Sequence, residues 1–159
     1  MSTEDGVRPP MLLRPIAWVR NAVSEPGRHD WAQVESEILF EPGFESALDG
    51  LDEFSHITVL FWMHRSPAWD GSMSKIHPQR RPDLPLVGVL STHSPIRPNP
   101  LGLTTVRLLE RRGGVLKVAG LDAIDGTPVV DVKPLIPGDD LSQATAPEWI
   151  SRLRRHDKR

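Results

Sequence analysis

The stretch of residues 92–103 contains the side chains best suited to chemistry. It reads Thr-His-Ser-Pro-Ile-Arg-Pro-Asn-Pro-Leu-Gly-Leu and holds three prolines within six residues. Because proline fixes φ and removes a backbone donor, the loop is predicted to be stiff and to aim Arg97 and Asn99 in set directions. Pre-ordered donors lower the entropic cost of binding a ligand. The alternative is a proline-rich corner between strands that carries a solvated arginine.

A second polar segment, 121–134, reads Leu-Asp-Ala-Ile-Asp-Gly-Thr-Pro-Val-Val-Asp-Val-Lys-Pro. Asp125-Gly126 is a turn signal that needs no catalytic role. Asp122 and Asp131 lie at the ends of or inside predicted strands, where a charge is expected to have a partner. Near a rigid arginine loop these two carboxylates could accept a proton or orient a nucleophile. Structural ion pairing is the competing interpretation.

Several other chemistries lack their usual residues. The chain has no cysteine, and His56 and His64 would be more than about 20 Å apart on one strand at about 3.3 Å per residue. We therefore predict no metal site. The G-x-S-x-G, P-loop and G-x-G-x-x-G motifs do not occur in the sequence, which argues against a serine nucleophile, ATP hydrolysis and ordinary dinucleotide binding.

Composition suits one domain. The 159 residues carry 19 Lys plus Arg against 21 Asp plus Glu, a net charge of −2, which argues against coating nucleic acid by bulk charge. Two local basic groups remain, and either could be a nucleic-acid footprint or a solvated surface. They are Lys75, His77, Arg80 and Arg81, and then Arg152, Arg154, Arg155, Lys158 and Arg159. Without an apolar run long enough for a membrane helix or a signal peptide, the sequence predicts a soluble, cytoplasmic protein.

Short apolar segments separated by Gly and Pro must position these residues, and they favour an all-β barrel or sandwich. The predicted strands are 16–19, 34–40, 57–63, 86–90, 103–109, 115–121 and 128–132. The third has no polar face and is predicted to be buried on both sides. The fifth and sixth flank Arg-Arg-Gly-Gly, which predicts a hairpin. Two helices are expected, a short one at 44–48 and a C-terminal one that begins after the capping-box sequence Thr-Ala-Pro-Glu at 145–148.

Three motifs together resemble the YaeB/TrmO-like (TsaA, VirR-type) family of tRNA methyltransferases. They are Gly-Leu-Asp-Glu-Phe-Ser-His at 50–56, Ser-Pro-Ile-Arg-Pro-Asn-Pro-Leu-Gly-Leu at 94–103, and the whole of 121–134. The resemblance extends over roughly 13–140. It implies an antiparallel β-barrel and a homodimer that holds its cofactor near the dimer interface, which agrees with the all-β fold and short peripheral helices that the residues predict.

The activity that the resemblance implies is S-adenosylmethionine-dependent N6-methylation of threonylcarbamoyladenosine at position 37 of tRNA. The expected cofactor contacts are His64, Arg65, His93, Leu103, Ile124, Asp125, Gly126 and Thr127. Backbone groups of the Asp125-Gly126 turn are expected to bond the adenine or methionine part of the cofactor. His93 stands where members of the family commonly carry an arginine.

Within this scheme we expect Arg97 and Asn99 to orient the substrate, while Asp122 or Asp131 receives or relays its proton. The expected organisation is a flexible tail at 1–12, the barrel domain at 13–145 and a basic helix at 146–159. Longer members of the family continue into a further C-terminal domain. Two alternatives stay open: a non-catalytic module that binds RNA or S-adenosylmethionine, and a methyltransferase acting on a different small molecule.

Overall fold

The computed structural model describes residues 9–138 and 145–156, and eight strands and one α-helix lie within them. The strands are β1 (Ala17–Arg20), β2 (Glu35–Phe40), β3 (His56–Trp62), β4 (Lys75–Ile76), β5 (Val87–Gly88), β6 (Leu101–Arg112), β7 (Val115–Ala119) and β8 (Pro128–Pro134). Six of them close into an antiparallel barrel in the order β1-β2-β7-β6-β3-β8. The all-β barrel is therefore confirmed, and closure pairs both edges of the sheet.

Every second side chain of the barrel strands points into the core. Along β3, Ile57, Val59 and Phe61 point inward with at most 2% of their surface exposed. Ile38 of β2 and Val118 of β7 meet them in the same apolar cluster. Side chains alternate between the two faces of a strand, so one face of each barrel strand supplies the core.

The outer face of β3 corrects one prediction. His56, Thr58, Leu60 and Trp62 are half-buried rather than buried, so this strand is not covered on both sides. An uninterrupted apolar sequence does not by itself distinguish a central strand from a strand whose second face bears exposed apolar side chains.

The hairpin prediction is confirmed, because β6 and β7 pair antiparallel around a turn at 113–114. The strand predicted at 86–90 is wrong in extent. Only Val87–Gly88 is extended, and it pairs with Lys75–Ile76 in a two-stranded sheet outside the barrel, while Val89–Ser91 forms a 3-10 turn. The short helix expected at 44–48 is a 3-10 turn over Glu45–Leu48.

Residues 63–100 leave the barrel after β3 and return to it at β6. Trp62 pairs with Leu101 across the two strands, and the Met63 amide donates to the Pro100 carbonyl at 2.7 Å. Both ends of the segment are therefore fixed at one point of the barrel. The segment contains the small β4-β5 sheet and the proline-rich loop.

The C-terminal helix, α1 (Trp149–His156), is present. Lys158 and Arg159 lie outside the described residues, as do residues 1–8 of the expected tail. Residues 9–12 are exposed and contain no regular element. In the described part of the chain, no helix has the length and apolar character needed to span a bilayer.

Candidate functional site

Residues 121–127 cross from β7 to β8 and extend the core at one end of the barrel. Leu121, Ala123 and Ile124 are buried there. At the turn that follows, the Asp125 amide donates to the Val23 carbonyl at 2.7 Å and the Gly126 amide to the Val19 carbonyl at 2.8 Å. These two amides, which are among the backbone groups expected to bond a cofactor, hold the turn against β1 and the residues that follow it.

Gly126 has φ of +74°, a conformation that residues with a Cβ rarely adopt. The turn is therefore specified by its glycine, as the Asp-Gly signal indicates. Asp125 is exposed, and its carboxylate accepts one bond from the Asn21 amide at 3.1 Å. Since a carboxylate offers about four acceptor sites, that bond leaves most of its capacity for a ligand.

Asn21 links several segments at the same end of the barrel through side-chain hydrogen bonds. Its side-chain amide donates to the Ser36 hydroxyl at 2.9 Å and to the Ala123 carbonyl at 2.8 Å, and its Oδ1 accepts from the Val23 amide at 2.9 Å. Ser36 is only 1% exposed. A buried polar group that is fully hydrogen-bonded fixes its neighbours, so Asn21 locks the turn to β1 and β2.

His64 and Thr127, two of the predicted cofactor residues, are brought together here. His64 Nδ1 lies 3.4 Å from the Thr127 hydroxyl, and Thr127 is buried. The neighbouring Arg65 donates to the Ser24 carbonyl at 2.8 Å and pairs with Glu25 at 3.0 Å. Partial desolvation and then the charge of Arg65 lower the pKa of His64 below its usual value.

The lowered pKa of His64 makes the stability of the fold decrease as pH falls. The unfolded chain takes up the His64 proton at a higher pH than the folded chain does. The contribution of His64 to the stability of the fold is therefore complete above the unfolded pKa. It is lost as pH falls from about 6.5 through the lowered folded pKa of His64.

We expect Arg65→Gln to raise the pKa of His64 without fully restoring it, because the charge is removed but the larger desolvation effect remains. An NMR titration of the His64 imidazole, assigned with a His64→Gln variant, measures this shift. Arg112→Gln is the matched control, since Arg112 pairs with Glu110 at the opposite end of β6. An unchanged pKa of His64 in Arg65→Gln contradicts the assigned cause.

The proline-rich loop is held by its own hydroxyl side chains. Thr92 Oγ1 donates to the Val89 carbonyl at 2.7 Å and accepts from the Ser94 amide at 3.2 Å, and Ser94 Oγ accepts from the Ile96 amide at 3.2 Å. Arg97 is half-buried and reaches the carbonyls of residues 92 and 94 only at 3.4–3.5 Å. Contacts this long are weak, so the guanidinium can exchange them for an anionic ligand.

Leu103 and Asp131 lie on the outer face of the barrel. Leu60 of β3 pairs with Leu103 on one side and with Asp131 on the other. Leu103 is 68% exposed. Asp131 is half-buried, pairs with Lys133 at 3.0 Å and accepts from the Val132 amide at 2.9 Å.

Asp122 is placed differently. It is exposed and accepts a bond from the Thr104 hydroxyl. Thr104 pairs with the buried Val59, and cross-strand partners share a face, so Thr104 belongs to the inner side of the barrel wall. The two candidate proton acceptors therefore stand on different sides of the wall, and Asp122 shares a loop with Asp125 and Thr127.

The remaining predicted residues are distributed over the same region. Ile124 is buried under the turn, while His93 and Asn99 are exposed in the proline-rich loop. The Asn99 carbonyl accepts from the Leu101 amide at 2.7 Å, at the start of β6. Among the residues that the structure describes, no group of three or more His, Asp or Glu is arranged to hold a metal ion.

Four residues that shape the site were not predicted from the sequence: Asn21, Ser24, Glu25 and Thr104. Ser24 contributes only its backbone carbonyl, which no sequence pattern reveals. Asn21 follows directly after β1, and a polar residue at that point was the one available signal. Its partners are 15 and 102 residues away along the chain, so they emerge only from the closed barrel.

The fold and this site define a small antiparallel β-barrel whose end is closed by a hydrogen-bonded Asp-Gly-Thr turn. The family model for the tRNA-methyltransferase O N-terminal domain matches residues 22–141. The chain belongs to this family.

Two relatives and one solved structure show how far the likeness extends. A probable S-adenosyl-L-methionine-binding protein of Methanothermobacter thermautotrophicus is 41% identical over 77% of this chain and 88% of its own. The tRNA (adenine(37)-N6)-methyltransferase of Escherichia coli K12 is 35% identical over 77% of this chain but 54% of its own. The crystal structure of TrmO from Pseudomonas aeruginosa superimposes with a TM-score of 0.67 at 28% identity, over 87% of this chain and 62% of its own.

Proposed function

We propose that this protein is an S-adenosylmethionine-dependent methyltransferase that modifies N6 of threonylcarbamoyladenosine at position 37 of tRNA. The family and the names of its enzyme members support this activity. The observation that carries it is the convergence of His64, Arg65, Asp125 and Thr127 at one end of the barrel. The 121–134 motif and the residues that follow β3 meet there.

The donor set fits S-adenosylmethionine. This cofactor has a carboxylate, an ammonium group, a sulfonium and an adenosine. Arg65 and His64 offer donors for an anionic group, the exposed carboxylate of Asp125 can accept from the ammonium or the ribose, and Leu103 presents apolar surface. We propose that these residues hold the cofactor, with His93, Ile124, Gly126 and Thr127 completing the site.

When bound, the cofactor supplies an electrophilic methyl group on sulfur. The chain must then align the acceptor nitrogen and remove its proton. Arg97 and Asn99, in the stiff proline-rich loop, would fix the substrate through its carboxylate or phosphate. A carboxylate oxygen would take the proton as the new N–C bond forms. Asp122 is the first candidate because it lies in the same loop as Asp125, and Asp131 is the second.

Methyl transfer from labelled S-adenosylmethionine tests the proposal directly. The substrate is tRNA from cells that lack the native modification enzyme, and nucleoside analysis locates the label. Label on threonylcarbamoyladenosine supports both the chemistry and the substrate. Absence of label from every tRNA nucleoside would contradict the proposed tRNA activity.

A second candidate function is cofactor binding without methyl transfer to tRNA. It is supported by the 41% identity to the archaeal protein, whose name describes S-adenosyl-L-methionine binding and no transfer reaction. Calorimetric binding of S-adenosylmethionine with no transfer to tRNA supports this alternative. Incubation with small-molecule acceptors then distinguishes a sensor from an enzyme with another substrate.

We propose that the working form is a homodimer in the cytoplasm, with the barrel unit at 13–145 as its core. The outer face of the β6-β3-β8 sheet supports this, because Leu103 at 68%, Leu135 at 42% and Ile136 at 65% are exposed on or beside it. They run from Leu103 near the start of β6 to Leu135 and Ile136 after the end of β8, and apolar side chains exposed along one face mark interaction surfaces.

Leu103→Asp is expected to convert the dimer into a monomer, because a charge would replace an apolar side chain within the proposed interface. Light scattering after gel filtration measures the mass. Leu86→Asp is the matched control, since Leu86 is also exposed but borders the β4-β5 sheet outside the barrel. A dimer that survives Leu103→Asp, or a wild-type monomer, contradicts the assignment of this face.

A further inference from the structure

Two basic segments that are far apart in the sequence are in contact. Arg81 of the segment 77–84 donates to the backbone carbonyl of Arg152 in α1 at 3.2 Å, and Arg152 donates to the Asp83 carbonyl at 3.3 Å. A third arginine joins them, because Arg28 donates to the Gln79 side chain at 3.1 Å. We call Arg28, Arg80, Arg81 and Arg152 the basic surface.

Positive charge dominates this surface. Asp83 lies among these arginines and pairs with Arg81 at 2.6 Å, and the exposed Glu148 stands four residues before Arg152. The arginines lower the pKa of Asp83, mainly through the hydrogen bond from Arg81 and more weakly through the charge of Arg152. Arg28, Arg80 and Arg152 are exposed, and the acceptors of Arg28 and Arg152 are neutral amide or carbonyl oxygens. The basic surface therefore keeps an excess of exposed positive charge on a chain whose net charge is −2.

The backbone that displays Arg80 is in an unusual conformation. Gln79 and Arg80 have φ of +51° and +57°, values that non-glycine residues adopt mainly where the surroundings enforce them and that cluster at functional sites. Residues that flank this turn hold it in place. His77 Nδ1 bonds the Leu84 carbonyl at 2.7 Å, and Pro78 and Leu84 are buried. Arg80 is thus held outward by a pre-ordered turn.

A single loop connects the basic surface to the candidate site. Val23 accepts from the Asp125 amide, Glu25 pairs with Arg65, and Arg28 reaches Gln79. From residue 23 to residue 28 an extended chain spans at most about 18 Å. A nucleic acid with one base at the site can therefore place phosphates on the basic surface.

We propose that the basic surface binds the phosphate backbone of the RNA substrate. Guanidinium groups match phosphate oxygens in geometry and stay charged at every physiological pH. The inference rests on the proposed tRNA function and adds the docking surface, formed here by segment 77–84 together with α1. Contacts of this type position an RNA without reading its sequence.

The test compares two charge-matched double variants. Arg80→Gln with Arg152→Gln removes two charges from the basic surface. Arg112→Gln with Lys117→Gln removes two charges near the hairpin turn, where both residues form exposed ion pairs. Thermal melting checks that both variants are folded, calorimetry gives the Kd for S-adenosylmethionine, and tRNA binding is measured between 50 and 200 mM salt.

Removing two phosphate contacts is expected to weaken tRNA binding roughly tenfold and to reduce the slope of log K against log salt by about 1.5. The Kd for S-adenosylmethionine should stay at the wild-type value in both variants, and the hairpin variant should bind tRNA like the wild type. Equal weakening in both variants, or an unchanged salt slope in the first, would overturn the docking surface. So would a wild-type protein that does not bind tRNA.

These results separate the inference from the proposed function. A wild-type protein that methylates tRNA while the basic-surface variant binds tRNA normally overturns the inference alone. A wild-type protein that binds tRNA through the basic surface but transfers no methyl group overturns the enzymatic function and leaves the surface standing.

Discussion

Gly102→Ala is expected to destabilise the barrel by about 1–3 kcal/mol, the usual cost of overpacking a core, which corresponds to a fall in Tm of roughly 2–12 °C for a domain of this size. Gly102 pairs with Phe61 across β6 and β3. A Cβ built on Gly102 would lie 2.3 Å from two ring carbons of Phe61. Phe61 is 2% exposed and surrounded by core residues, so the ring cannot move without disturbing the core.

Gly88→Ala is the control for this change. Nothing lies within 4 Å of a Cβ built there, and its φ of −59° suits alanine, so its melting temperature should match the wild type. A second test combines Gly102→Ala with Phe61→Leu. The two changes should be less than additive, because the smaller side chain relieves the clash. Equal melting temperatures for Gly102→Ala and Gly88→Ala would contradict this account.

Arg97→Ala is expected to reduce kcat/KM for methyl transfer about 100-fold, the scale associated with a misplaced substrate. Its Kd for S-adenosylmethionine should not change, because the cofactor is assigned to other residues. Stability should change by no more than about 0.5 kcal/mol, since the guanidinium makes only long contacts with its own loop. Steady-state kinetics and thermal melting of the same preparation measure both effects.

Two further variants sharpen this test. Arg97→Lys keeps the charge but loses the planar fork, so partial activity indicates that charge matters and no recovery indicates that bidentate geometry matters. Arg112→Ala removes an arginine nine positions beyond Leu103 on β6, about 30 Å away along the strand, and should retain full activity. Full activity in Arg97→Ala excludes a role for Arg97 in positioning the substrate.

Local sequence patterns predicted most of the barrel. The strand at 34–40 and the Arg-Arg-Gly-Gly turn between β6 and β7 depend on neighbouring residues, and both predictions are confirmed. The strand predicted at 86–90 was wrong because the apolar residues Val89 and Leu90 fit a 3-10 turn as well as a strand. The degree of burial of β3 was wrong because exposure of its outer face depends on what packs there, which is a property of the whole fold.

The site was predicted in part. The motifs identified Asp125, Gly126 and Thr127, and the structure brings Thr127 to His64. The direction of the turn amides was not predictable, because their acceptors, the carbonyls of Val19 and Val23, belong to the opposite end of the chain. The separation of Asp122 from Asp131 across the barrel wall likewise depends on strand register, which the sequence alone does not reveal.

The fixed ends of segment 63–100 have a consequence for how this protein can diversify. The segment begins and ends at a single hydrogen bond, from the Met63 amide to the Pro100 carbonyl, while the six barrel strands close without it. Doubling the length of such a loop costs only about 0.6 kcal/mol of closure entropy. Evolution or a designer can therefore exchange the part of this segment beyond Arg65, which carries Arg97, Asn99 and Arg80, and so change substrate choice while the barrel strands stay intact.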